Sequence, residues 1–296
     1  METDEPVLIN YTRGPVEVFG RRMKMEYVGM ASVFVVITVL IYGGQPWQRS
    51  IVATVGSFFL FLGLKKKNRD HLMCSFLLFM AALLARPAVL VEDWALPLLL
   101  FGATVFSLER YIEKRPSQVY VLPVVFAVWG WVDGFWLLAL LFAIAYLFHP
   151  RDDRPGWRKK LGLTVAGAAA AGGITTVVHL TGSGLPTGYW PSERLALGPT
   201  HLIFIAVLVL ASLVIVASYW RRIIAPHRIN PLVFGALAPW DIRLTAMFGM
   251  VAAVLFAATV FHHSIDSDRA RPFFKHAEWH FFWWVLALAI WAVAFR

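Results

Sequence analysis

A single cysteine, Cys74, and a charged fraction of only 15% mark this 296-residue chain. One thiol excludes a disulfide scaffold, and its place within an apolar run reads as an inert buried group. Soluble domains carry about 25% charged residues, so a chain this poor in charge lacks the means to cover a conventional aqueous surface. Nucleotide-binding loops are missing too: there is no G-x-x-x-x-G-K-[ST] and no strand-linked G-x-G-x-x-G. The G-x-S-x-G elbow is absent, and Ser192 has no nearby base in the sequence. The net charge is +9, yet the basic residues fall in short, separate loops without interleaved aromatics. That pattern argues against a nucleic-acid partner.

What the chain has is apolar sequence. Hydrophobic residues make up 59% and mean hydropathy is +0.65, against about 45–50% apolar in ordinary domains. The excess lies in runs at 27–42, 51–64, 72–85, 94–108, 119–131, 135–148, 161–180, 202–220, 244–261 and 281–295. The expected fold is all-α: a polytopic transmembrane helical bundle of nine to ten spans with a cytoplasmic N-terminus. Several runs are shorter than the roughly 20 residues of a full span, and flanking Trp, Tyr, Lys and Arg complete them by snorkelling. The stretch 119–148 reads as two short helices meeting near Asp133-Gly134, because a carboxylate at the middle of one lipid-facing helix is costly.

Residues 1–26 form a cytoplasmic leader with no cleavable signal pattern, and residues 27–296 form one transmembrane domain. The leader from Val16 to Glu26 reads equally as an amphipathic surface helix or as a solvated basic arm. Ten crossings place most of the 27 basic residues inside, among them Lys65, Lys66, Lys67, Arg158, Lys159, Lys160, Arg221, Arg222, Arg228 and Arg243. Arg49, Arg86, Arg194, Arg269, Arg271 and Lys275 remain outside, the asymmetry expected of a bacterial inner-membrane protein. The Lys65–Lys67 turn reads as an anchor to anionic lipid.

Chemistry-bearing residues gather in the expected outer connections. The densest segment is F-H-H-S-I-D-S-D-R-A-R-P-F-F-K-H-A-E-W-H, residues 261–280. His276 and His280 stand four apart on one helix face, a spacing at which two imidazoles hold one metal. His262 or His263, with Asp266 or Asp268, completes a nitrogen and oxygen set suited to zinc or copper. Arg269, Arg271 and Lys275 compete for the acids and oppose a cation. A lesser reading pairs His179 with His201 about a haem. His71, His149 and His227 fall among inner basic residues, where a surface role suffices.

Residues 64–148 resemble the distal transmembrane half of lipid-dependent glycosyltransferases of the GT-C fold. The likeness rests on K-K-K-N-R-D before a short span, then A-L-L-A-R-P, then V-L-P-V-V-F-A-V-W-G-W-V-D-G-F-W-L-L-A-L. It implies a polyprenyl-linked sugar donor. Those enzymes place a catalytic carboxylate in their first outer loop, whereas the loop here, G-G-Q-P-W-Q-R, holds no acid. Glu92 and Asp93 are the nearest substitutes. The function expected first is therefore an integral subunit or assembly factor of a larger membrane complex, with membrane lipids and other integral subunits as partners. A glycosyltransferase relative and an outer-face metal or haem protein are the alternatives.

Overall fold

The computed structural model describes residue 37 and residues 46–67, 71–92, 94–112, 116–149, 156–183, 199–221 and 223–259. Among them the chain forms nine α-helices and no strand. They are α1 (Trp47–Lys67), α2 (His71–Glu92), α3 (Ala95–Ile112), α4 (Leu122–Val132), α5 (Trp136–Ala145), α6 (Trp157–Ser183), α7 (Pro199–Ser218), α8 (Ala225–Leu237) and α9 (Ile242–Ala258). Short 3₁₀ turns at Pro116–Val121, Tyr146–Phe148 and Ala238–Trp240 lead into α4 or extend α5 and α8. The protein is an all-α helical bundle. Three of its helices, over Trp47–Leu64, Ala95–Ile112 and Trp157–Gly182, are long and apolar enough to cross a membrane. The leader and the runs at 27–42 and 281–295 lie outside the described residues, apart from the buried Ile37.

α9 is the central helix. Every residue from Ile242 to Leu255 is buried, and it packs chiefly along α2 and α8. A helix apolar on all sides belongs inside a bundle. Around it, α3, α5 and α8 meet at three levels. At one end Trp94, just before α3, meets Phe135, just before α5, and Arg243 at the start of α9 lies over the Phe135 ring. In the middle, Phe101, Phe142 and Phe234 form a ring cluster with centroids 5.2–6.1 Å apart. At the other end Glu109, Tyr146 and His227 converge.

These levels settle two sequence expectations. The stretch 119–148 is broken at Asp133-Gly134, giving α4 and α5. The single inner connection expected to hold Arg221, Arg228 and Arg243 is instead divided. α8 runs from the Glu109 end, at His227, to the Asp133 end, at Asp241, and α9 returns. Arg243 and Arg228 therefore lie at opposite ends. α8 escapes an apolar-run search because it carries Pro226, His227, Arg228, Asn230 and Pro231 in its first two turns. Pro226 is tolerated there because the amides of a first turn have no helical acceptor. Asp241 caps α9 by accepting from the Arg243 amide at 2.8 Å.

Helix pairs close on glycine. α1 lies along α3, where a Cβ on Gly102 would fall 2.5 Å from Gly56 O. α4 lies along α6, where a Cβ on Gly130 would overlap the Gly172 backbone. Such seams let backbones approach within van der Waals range and gain dispersion energy in lipid as in water. Gly130→Ala and Gly102→Ala should each cost about 1–3 kcal/mol by forcing the seams apart. Gly173→Ala, with no atom within 4 Å of the added methyl, should be neutral or slightly stabilising by helix propensity. Thermal unfolding of the purified variants in one detergent checks this ordering.

Candidate functional site

Two buried carboxylates organise the polar chemistry of the bundle, one at each end. Glu109 stands in the last turn of α3, 1% exposed. A negative charge at a helix C-terminus gains nothing from the helix dipole, and burial strips its water, so its stability rests on donors from elsewhere. Two come from other helices. Tyr146, in the turn after α5, donates its hydroxyl to Glu109 Oε1. His227, in the first turn of α8, places Nε2 2.8 Å from the same oxygen. One turn further along α8, Asn230 donates to the Phe142 carbonyl at 3.3 Å. On the same end Tyr111 donates to the Trp157 carbonyl at 2.7 Å, the two rings stacked 3.6 Å apart.

Beside this centre lies a cavity of about 10 Å³ lined by Phe142, Tyr146, Pro226, His227, Asn230 and Val254. That volume is near the minimum that holds one water molecule.

Asp133 closes the other end, in the turn between α4 and α5 and outside both helices. Its Oδ1 accepts from the Phe135 amide and from Trp129 Nε1, each at 2.8 Å, and its Oδ2 from Trp94 Nε1 at 3.2 Å. Arg243 adds a positive field, with its guanidinium 4.7 Å from the Phe135 ring centre and held by both oxygens of Asp241. Burial dominates and pushes the Asp133 carboxyl up from 3.8 to about 6, while the Phe135, Trp129 and Trp94 hydrogen bonds and Arg243 pull the other way.

The two ends differ in chemistry. Asp133 is held by indole and amide N–H groups, which do not titrate in water's range. Glu109 is held by a phenol and an imidazole, both ionisable side chains. Among the described residues no three His, Cys, Asp or Glu side chains converge as a metal set.

His262, His263, Asp266, His276 and His280 lie outside the described residues, as does the side chain of His201. His179 rests edge-on against Trp131, ring centres 4.8 Å apart. His227 departs from its expected surface role: it is 5% exposed, because the α8 crossing carries it under the end of α5. Glu109 drew no notice in the sequence because it stands beside Arg110 at the end of an apolar run, where a charge ordinarily reaches water. An acid with His and Tyr on other helices leaves no spacing signal.

The Asp133 centre generates a pH dependence. Between about pH 3.8 and 6 the folded protein holds a proton on Asp133 that the unfolded chain has released, so its contribution to stability falls as pH rises through that window. Chemical unfolding of the detergent-solubilised protein at stepped pH should show this slope, and Asp133→Asn should flatten it.

No protein-family model matches the chain, and comparison with curated proteins and with solved structures likewise gave no match.

Proposed function

We propose that the chain is a multi-pass integral membrane protein that serves as a subunit or assembly factor of a larger membrane complex. The observation that carries this reading is the outer surface of α6 and α7. Neither helix carries Asp, Glu, Lys or Arg between residues 161 and 183 or between 199 and 218. Their outward side chains are large and apolar, with Leu163 65% and Ile203 66% exposed, followed by Ile174, Val177, Val207 and Leu210. Only 28% of the Trp157–Gly182 window is buried. An apolar surface of this extent is untenable in water and is matched by lipid or by neighbouring apolar helices.

Charge supports an orientation. α1 ends in Lys65, Lys66 and Lys67 at the Glu109 end, where Arg110, Arg158, Lys159, Lys160, Arg221 and Arg228 also lie. The Asp133 end has Arg49, Arg86 in the last two turns of α2, and the Asp241-paired Arg243. By the positive-inside rule the Glu109 end faces the cytoplasm. α9 then ends on the cytoplasmic side, so the chain enters residues 260–296 from there.

An alkaline wash should leave the chain in the membrane. A native gel of gently solubilised membranes should show it above its own 33.3 kDa, with co-purifying proteins. Release by alkali overturns the membrane reading, and migration solely as a monomer overturns the subunit reading. Orientation has a direct readout because Cys74 is fully buried. An impermeant thiol reagent applied to intact cells should label Trp47→Cys, and Lys159→Cys only after permeabilisation; the reverse pattern inverts the bundle.

A further inference from the structure

We propose that Glu109, His227 and Tyr146 form a proton-binding site that exchanges one proton through the cavity beside them. The geometry separates a fixed part from an exchanging part. Glu109 Oε1 lies within hydrogen-bond range of two groups at once, the Tyr146 hydroxyl and His227 Nε2. Both are met as donors when the carboxyl is ionised and the imidazole carries its proton on Nε2. In that arrangement the other imidazole nitrogen, Nδ1, takes up or gives up a proton without breaking the bond to Glu109. The pair then alternates between a carboxylate with a neutral imidazole and a carboxylate with an imidazolium. One proton passes between a water molecule and a ring nitrogen, nothing is oxidised, and the net charge of the pair moves between −1 and 0.

The surroundings suit this exchange. His227, Tyr146 and Asn230 line the small cavity among otherwise apolar neighbours, and its volume admits one water molecule as the exchange partner. Among the described residues, two nearby cations have partners of their own. Arg110 donates to Gln118 at 3.2 Å and lies over the Phe106 ring, and Arg228 stacks on Trp220 at 4.8 Å. Tyr111 on α3 is bound to the Trp157 carbonyl of α6. α9 brings only the aliphatic Val251 and Val254 to the cavity. Ionisable groups within an apolar bundle are expensive to maintain, and three converging from three helices exceed what packing requires. A static clamp is met by indole and amide donors, as the Asp133 end illustrates.

The test is infrared difference spectroscopy of the purified full chain in lipid vesicles, titrated between about pH 4 and 9. The parent should show one step in which an imidazole ring band and a carboxylate stretch move together. His227→Asn should abolish the carboxylate movement as well as the ring band, because the two groups respond as a pair. Glu109→Gln should move the remaining imidazole step by about one pH unit or more. A parent with no His227-dependent band, or an imidazole step unmoved by Glu109→Gln in a folded variant, overturns the proposal and leaves a static clamp. Where Glu109→Gln fails to fold, Tyr146→Phe keeps the ring and carries the test. Displacement of the shared step supports the site, and an unmoved step overturns it.

Discussion

A carboxylate taken out of water must have its donors brought to it, and this one requirement sets the heights of three helices. Glu109 is fixed in α3, so the ends of α5 and α8 must arrive where Tyr146 and His227 reach it. Breaking such a buried pair by removing one partner typically costs about 3–5 kcal/mol, far above the net worth of an exposed ion pair. A shift of α8 by one residue along its axis, about 1.5 Å, would lose the His227 contact and misalign Phe234 with Phe101 and Phe142. Polar geometry therefore fixes register, while the apolar contacts, which tolerate sliding, supply bulk cohesion.

The same logic operates at the Asp133 end with different donors. Trp94 and Trp129 reach one carboxyl from α3's approach and from α4, and Arg243 brings in the start of α9. Between the two carboxylates a few side-chain bonds cross helices: Asn230 donates to the Phe142 carbonyl, and Trp136 donates to Thr176, which donates to the Gly130 carbonyl. The seam at Gly56 with Gly102 rests on close backbone contact, and that at Gly130 with Gly172 combines such contact with the Thr176 bond. The bundle is thus pinned at both ends and zipped between them. The central helix, α9, is held from several sides and needs no polar pin beyond its first turn.

How far this was legible in sequence depends on which physical signal each element sends. Long apolar runs announce α1, α3 and α6 through length alone. The break at Asp133 was readable because a mid-run carboxylate beside glycine has one economical solution, a turn. α8 was not readable, since its first two turns hold two prolines and three polar residues, and run-finding treats such sequence as a loop. Missing that crossing reversed α9 and moved Arg243 to the wrong end. The Glu109 centre was hidden for a different reason. Its members, at 109, 146 and 227, are joined only by tertiary packing, and no local spacing encodes a meeting of three helix ends. The His-rich segment 261–280 was conspicuous by density, which is a property of composition and carries no information about convergence.

The middle layer of rings has an electrical consequence. Phe101, Phe142 and Phe234, backed by Trp129 against Phe101, fill the space between the two carboxylate centres with hydrocarbon of low dielectric constant. In the proposed membrane setting a transmembrane voltage drops across such an insulating slab and not across the hydrated layers on either side. A proton reaching Glu109, in the last turn of the Ala95–Ile112 helix, from its nearer end would not cross the ring layer, so its occupancy would follow chiefly the acidity of that one compartment.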